Sequence, residues 1–215
     1  YALDSYGVLV GFYDRVELSF SRQEFDTEAV GGALGLGNGF TFTQDTIGVK
    51  VKVAGDAVLE QDSWLPQIAV GAQYKKNDQP GVLAFVGARD DSGVDYYVSA
   101  TKLYLAQSLL LNGTVRFTKA NQFGILGFGG DRNDDYEAQF EASAAYLLSR
   151  NLAIGAEYRT KPDNLGIADE DDAWDVFVAW APIKNVSLTV AYVDLGNIVI
   201  RDEQRGVYAS LQVGF

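Results

Sequence analysis

The feature that most restricts this chain is an alternation of apolar with small or polar residues, repeated along most of its 215 positions. Tyr6, Val8, Val10 and Phe12 alternate with Ser5, Gly7, Leu9 and Gly11. Ile47, Val49, Val51 and Val53 alternate with Gly48, Lys50 and Lys52. Tyr136, Ala138, Phe140, Ala142, Ala144, Tyr146 and Leu148 alternate with Glu137, Gln139, Glu141 and Ser143. A period of two marks a β-strand with one apolar and one polar face. Comparable stretches start at Val16, Gln67, Val94, Leu109, Leu152, Ala173, Val186 and Gly206, with Lys102 leaving the facing of the Val94 stretch ambiguous. Eleven strands and no convincing amphipathic helix predict an all-β chain, read as a single domain over 1–215. A further strand at Val82–Ala88 would change the count.

The connections come in two kinds that alternate. Short turns fall at Tyr13–Arg15, Leu105–Ser108, Ser149–Asn151 and Pro182–Asn185, with Ala54–Ser63 as the one longer member. Long polar loops fall at Asp26–Thr43, Lys75–Gly93, Lys119–Asp135, Lys161–Asp172 and Gly196–Arg205. Short turns at one end and long loops at the other are the pattern of an antiparallel up-and-down transmembrane β-barrel. Strand length fits too, since a tilted membrane strand needs roughly 9–11 residues. The charges decide which face is lipid. Reading the strands inside out would bury Glu137, Gln139, Glu141, Lys50, Lys52 and Arg116 in one apolar core, at several kcal/mol or more for each charge without a dedicated partner. Apolar-out avoids that cost.

Aromatic residues follow the same geometry. Trp64 and Trp180 lie beside short turns, while Tyr74, Tyr136, Tyr158, Trp174 and Tyr192 lie toward the long loops, as two belts at the water–lipid boundaries require. Pairing through Pro182–Asn185 is expected to set Trp180 opposite Val186 and Trp174 opposite Tyr192. Pairing through Ser149–Asn151 sets Glu141 opposite Arg159 and Ser143 opposite Glu157.

Composition excludes much. With Lys+Arg 17 against Asp+Glu 29 the net charge is −12, and no basic stripe offers phosphate contacts, so no nucleic-acid partner is expected. Cys and His are both absent, which removes disulfides, thiolate sites and imidazole bases. No apolar run reaches the roughly 17–25 residues of a membrane helix. The chain has no Met and so reads as processed or truncated at its front. Eleven strands also place residue 1 at the long-loop end, whereas bacterial barrels have an even count with both termini periplasmic. At least one further strand before Tyr1 is the expected repair.

The last ten residues, GVYASLQVGF, place Val207, Ala209, Leu211, Val213 and Phe215 on one face. They resemble the C-terminal signal of bacterial outer-membrane proteins, which ends in an aromatic residue and is read by the barrel-assembly machinery; Leu211, Val213 and Phe215 would carry it. Longer stretches resemble an uncharacterised family of proteobacterial outer-membrane proteins described only as a domain of unknown function. These are WLPQIAVGAQYKKND (Trp64–Asp78), VDYYVSATK (Val94–Lys102), AEYRTKPDNL (Ala156–Leu165), DVFVAWAPIKNVSLTVAYVDLG (Asp175–Gly196) and QRGVYASLQVGF at the end. WLPQIAVGA and SATK are also similar to YjbH-type proteins linked to exopolysaccharide production. The resemblance implies a bacterial outer-membrane location, with membrane lipid and lipopolysaccharide, the assembly machinery and another envelope protein as partners, and it transfers no catalytic motif.

Candidate chemistry lies on the polar face. Glu17, Lys50, Lys52, Arg116, Glu137, Glu141, Glu157, Arg159 and Asp175 would face the lumen, either as ion-paired filling or as the wall of a narrow channel. Glu137 and Glu141 are four residues apart, roughly 13 Å along a strand, too far for a glycosidase pair. A Ser nucleophile would lack its His base, so no enzyme activity is expected. Asp131, Asn133 and Asp135 have the opening spacing of a calcium loop, but Tyr136 stands where Gly is needed and Ala142 where Glu is needed. Solvated charge is the simpler reading there and at Asp169–Asp172. Gly35–Gly39 and Gly127–Gly130 precede no helix and read as flexible loop rather than phosphate sites. No cofactor or metal set emerges. The sequence therefore points to an outer-membrane barrel, either a narrow channel for small hydrophilic solutes or a non-conducting structural barrel serving surface polysaccharide or an envelope complex.

Overall fold

The computed structural model describes residues 1–33, 35–60, 64–167, 169–199 and 203–215. Eleven strands among them form one antiparallel sheet in chain order: β1 (Ala2–Phe12), β2 (Val16–Asp26), β3 (Thr41–Ala54), β4 (Gln67–Asn77), β5 (Ser92–Tyr104), β6 (Leu109–Thr118), β7 (Glu137–Ser149), β8 (Leu152–Arg159), β9 (Ala173–Ile183), β10 (Val186–Asp194) and β11 (Arg205–Val213). Each strand pairs with its sequence neighbours, an up-and-down meander. Among the described residues the sheet order runs from β1 to β11 without closing.

Four of the five inner connections are tight turns, and the β3–β4 connection, 55–66, is longer. At Tyr13 and Asp14 the backbone adopts φ of 52° and 51°, and the Arg15 N–H donates to the Phe12 carbonyl, so β1 reverses into β2 in three residues. Positive φ at both central positions matches the right-handed strand twist. The β9–β10 turn is shorter than expected, only Lys184 and Asn185, because β9 runs on to Ile183. A bulge between Val186 and Leu188 then shifts the register, so Trp180 opposes Leu188 and Trp174 opposes Asp194. The expected pairs Trp180–Val186 and Trp174–Tyr192 are thus displaced, although the Trp174 and Tyr192 rings still meet diagonally at 6.1 Å between centroids.

The outer loops hold two short helices, α1 (Ala29–Ala33) and α2 (Pro80–Phe85). Helix α2 occupies the segment where a strand at Val82–Ala88 was an open alternative. Pro80 at its start has no N–H to lose and a φ already helical, which favours the turn over a strand.

The facing of side chains follows the alternation. Val10, Leu18, Phe140 and Val190 lie on the outer wall with 45–58% of their surface exposed. Across β4 to β7 one rung reads Val70, Val98, Val115, Phe140, all outward. Lys102 shares this outward face, pairing with Leu111 two residues from the inner end of β5. Lysine there can reach the headgroup level with its amine while its stem lies on apolar wall. The inward face carries the polar partners, and there two aromatic rings lie over glycines of the adjacent strand, Tyr97 on Gly71 and Phe177 on Gly155. Only a residue without Cβ leaves space for those rings.

The lumen is not polar throughout. At the outer end Phe25 of β2 and Phe42 of β3 point inward and pack with Leu83, Ala88, Ile125, Leu126 and Leu165 from the loops. This apolar cap sits where alternation alone predicts a polar interior. A charge on the opposite, lipid-facing wall should be costly: Val98→Arg is expected to lower stability in vesicles by about 2–4 kcal/mol at bilayer mid-depth, read from denaturant unfolding.

Candidate functional site

The inward faces of β4 to β7 bring one charged network together. Lys75 of β4 and Asp95 of β5 pair at 2.8 Å, with Asp95 1% exposed and Lys75 buried. Arg116 of β6 donates through Nε to Glu141 of β7 at 2.6 Å, through Nη1 to Gln73 at 2.8 Å, and lies 3.6 Å from Asp95. Its guanidinium sits 5.0 Å from the Tyr97 ring centroid, a cation–π contact. Thr118 donates to the second oxygen of Asp95. Buried charges persist only when paired and hydrogen-bonded, and this cluster meets that demand with two cations, two carboxylates and neutral donors.

Above the network the Lys119–Asp135 loop folds into the barrel mouth. Gln122, Phe123 and Gly124 adopt φ of 46°, 60° and 105° in succession, which turns the Phe123 carbonyl down into the lumen. Lys75 Nζ donates to that carbonyl at 2.9 Å, and the Asn77 side chain donates to the Ile125 carbonyl at 2.8 Å. Left-handed backbone at two non-glycine residues costs of order 1–3 kcal/mol each, and these contacts hold it. Asn121, 1% exposed, donates to the Gly129 and Leu126 carbonyls and accepts from Asn164, itself fully buried. Phe128, 1% exposed, lies against Gly93, where a Cβ would collide with its ring.

A second buried ion pair ties neighbouring loops to this plug. The side chains of Lys161 and Glu170, each 1% exposed, meet at 3.1 Å. Gln122 donates to Glu170 and to the Asn197 carbonyl, and Lys161 donates to the Leu195 carbonyl at 2.7 Å. Burial raises the Glu170 pKa, with Lys161 and Gln122 pulling the other way. At the surface, Lys119 is held protonated by Asp134 and Asp90, while the Gly166 N–H keeps Asp131 below the usual carboxylate range. Arg132 bridges Asp163 and Asp169. The two segments read from sequence as calcium-like or solvated acid are thus engaged with loop donors, and among the described residues no cluster of three or more metal-ligating side chains occurs.

The predicted lumen residues all fall on inward strand positions, but their partners differ from expectation. Glu17 pairs with Lys50 at 2.7 Å, and Lys52 shares their side of the sheet near the inner mouth. Glu141 opposes Arg159 in register, yet its bond goes to Arg116, whose fork reaches it from β6. Arg159 instead meets Glu157 at 3.1 Å. Glu137 accepts from Asn133 and Gln139. Asp175 opposes Glu157, a like-charge pair across two strands, with Arg159 alongside. The centre of the network, Lys75 and Asp95, was not among the predicted residues. Lys75 continues the inward series Gln67, Ala69, Gly71, Gln73, and the alternation could have placed it there rather than in a loop.

Among the predicted interface aromatics, Tyr74, Tyr136, Tyr158, Trp174, Trp180 and Tyr192 stand on the outer wall with 40–47% exposure, and Trp64 projects from the β3–β4 connection. Tyr96, Tyr104 and Tyr146 also face outward. Leu211 and Val213 face outward on β11, with Phe215 just beyond it.

A family model described as "Protein of unknown function (DUF3034)" matches residues 1–212. The chain belongs to the DUF3034 family. No curated protein matches its sequence. Among solved structures, this DUF3034 chain is similar to outer membrane phospholipase A from Escherichia coli, with a TM-score of 0.50 at 10% identity over 99% of this chain and 78% of that one. The calcium-bound dimer of the Salmonella typhi phospholipase gives a TM-score of 0.50 at 12% identity, covering 99% and 76%. A porin of Rhodopseudomonas blastica aligns at 0.42 and 11% identity, covering 99% of this chain and 55% of that one. The fold and the apolar outer wall are those of a bacterial outer-membrane β-barrel. The likeness to YjbH-type proteins gains no support from these matches.

The network makes a sharp energetic prediction. Asp95→Ala leaves Lys75 and Arg116 short of a buried counter-charge and should destabilise the barrel by about 3–5 kcal/mol. Glu157→Ala, at a half-exposed pair, should cost about 0–1 kcal/mol. Denaturant unfolding of both variants in detergent or vesicles separates the two.

Proposed function

We propose that this protein is a non-conducting outer-membrane barrel with a structural or interaction role. The observation that carries this reading is the Phe123 carbonyl held by Lys75 in the lumen, beneath a loop whose Ile125 and Leu126 are buried in the apolar cap and whose Phe128 is buried against Gly93. A solute moving along the axis would have to break the Lys75, Asn77 and Gln122 contacts and expose that cap. A narrow channel for small hydrophilic solutes, the alternative, therefore requires this loop to leave.

The inner half has a different character. A basin of about 630 Å³ opens at the short-turn end, bordered by Arg15, Glu17, Lys50, Lys52 and Gln67. Under this reading the barrel is a cup open to the periplasm and shut toward the outside. Lipid and lipopolysaccharide surround the wall, and the terminal strand with Leu211, Val213 and Phe215 engages the assembly machinery during insertion. An envelope partner, including one concerned with surface polysaccharide, would meet either the outer loops or the inner mouth.

The phospholipase named among the similar structures raises a catalytic reading, which the residues here do not favour. A serine nucleophile needs a base, and these 215 residues include no His. Among the inward carboxylates, Arg116 engages Glu141 and Arg159 engages Glu157, which stands opposite Asp175.

Planar-bilayer recording tests the proposal. The intact protein should give no conductance steps, whereas deleting residues 121–128 should create them. Regular steps from the intact protein would overturn the non-conducting reading.

A further inference from the structure

The two edge strands leave a seam. Every residue of β1 is exposed, and β11 is exposed throughout except for half-buried Ser210, unlike the strands between them. In a hydrocarbon layer an unpaired strand edge presents N–H and C=O groups that neither water nor lipid can satisfy. Something must therefore pair with both edges.

Direction restricts what that can be. β1 runs from the long-loop end to the Tyr13 turn, and β11, the tenth strand on in a strictly alternating meander, runs the same way. Direct closure of β1 on β11 would be parallel. A second copy inserted in the same orientation offers only edges that also run outer to inner, so it too could pair only in parallel. A strand running from the inner mouth to the outer loops is antiparallel to both edges at once.

The outer ends of the two edges already converge. Tyr1, just before β1, stacks against Phe25 with ring centroids 5.2 Å apart, and Val199 from the β10–β11 loop packs on the same apolar cluster. Tyr1, Phe25, Ile198, Val199 and Gln204 border one small cavity of about 40 Å³. The seam is thus pinned at its outer end, and a single strand fills it more simply than three. Inward positions along it alternate small residues, Ser5, Gly7 and Gly11 on β1 and Gly206 and Ser210 on β11, with the larger Leu3, Leu9, Tyr208 and Gln212, so an interposed strand has room for side chains on the lumen side beside the small ones.

We infer that the β1–β11 seam is the docking site of one further strand, about 9–11 residues long, running from the inner to the outer end. It alternates apolar residues toward lipid with small or polar residues toward the lumen. We assign it to the same polypeptide, joined to β1 across the outer surface where Tyr1 is anchored. The inference rests on the membrane-spanning reading and is independent of whether the lumen conducts.

The absence of Cys from these residues gives a clean test in the full-length protein in outer membranes. Leu9→Cys or Gly7→Cys is combined with Tyr208→Cys or Ser210→Cys, with Leu9→Cys/Ser19→Cys as the paired-strand control. A disulfide needs Cα atoms within about 7 Å, whereas an interposed strand holds the edges about two strand spacings, roughly 9–10 Å, apart. Oxidation should link the control and none of the seam pairs. A photoreactive phenylalanine analogue placed at Leu9, and separately at Tyr208, should then cross-link to one and the same peptide, mapped by mass spectrometry to sequence ahead of Tyr1. A seam disulfide would establish direct parallel closure and overturn the inference. Cross-links to another polypeptide, to a second copy, to sequence beyond Phe215, or to no peptide at all would overturn it equally. A conductance result leaves this outcome untouched, so the two readings fail separately.

Discussion

The whole structure depends on one constraint, that in hydrocarbon the polar groups of the chain must find partners within the protein. A helix meets it within one segment, and a sheet meets it only by pairing every strand. This chain takes the second route. Its strands are long enough to cross and their outward residues are mostly apolar; charges gather on the inward face, where they pair across neighbouring strands, while Arg22 and Asp45 pair at 2.6 Å on the outward face and Lys102 stands near its inner end.

The inward face then poses its own problem, since the charges it carries must be paired and hydrogen-bonded once they are taken out of bulk water. The solution is layered. Near the inner mouth Glu17 and Lys50 pair in contact with water. At mid-height Lys75, Asp95, Arg116 and Glu141 satisfy one another in a buried lattice. At the outer end the lattice hands over to backbone carbonyls of a folded-in loop, and that loop carries an apolar cap. Lys75 is the hinge of this arrangement, because one ammonium serves both the Asp95 carboxylate below and the Phe123 carbonyl above. Loss of the cap would expose Phe25 and Phe42, so the same contacts that hold the folded-in loop also keep the outer surface polar.

Strand number, inward and outward facing and the two classes of connection were all legible in the alternation, because period two is set by the backbone itself. Registers were legible at Glu141 and Arg159, despite an irregularity between Leu147 and Ser149 beside that turn. They failed at Trp180, where a bulge after Val186 moved the pairing, since nothing in the local residue pattern distinguishes a bulge from a continuous strand. The choice of Arg116 over Arg159 as the partner of Glu141 also escaped, because side-chain reach across the lumen is a tertiary matter. The plug was least legible. Gly127–Gly130 reads as loose loop by composition, yet its neighbours Asn121, Phe128 and Asn164 are buried by contacts from segments distant in sequence.

The most direct test is a nitroxide scan along β7, one cysteine label at a time over positions 138–147 in lipid vesicles. Labels at 138, 140, 142, 144 and 146 should relax strongly with dissolved oxygen and weakly with a water-soluble nickel chelate, as residues facing lipid do. Labels at 139, 141 and 143 should be protected from oxygen. If the even positions were shielded from both reagents while 141 and 143 responded to the nickel chelate as freely as bulk solvent allows, the apolar face would be an interior core and the membrane-barrel account would be wrong.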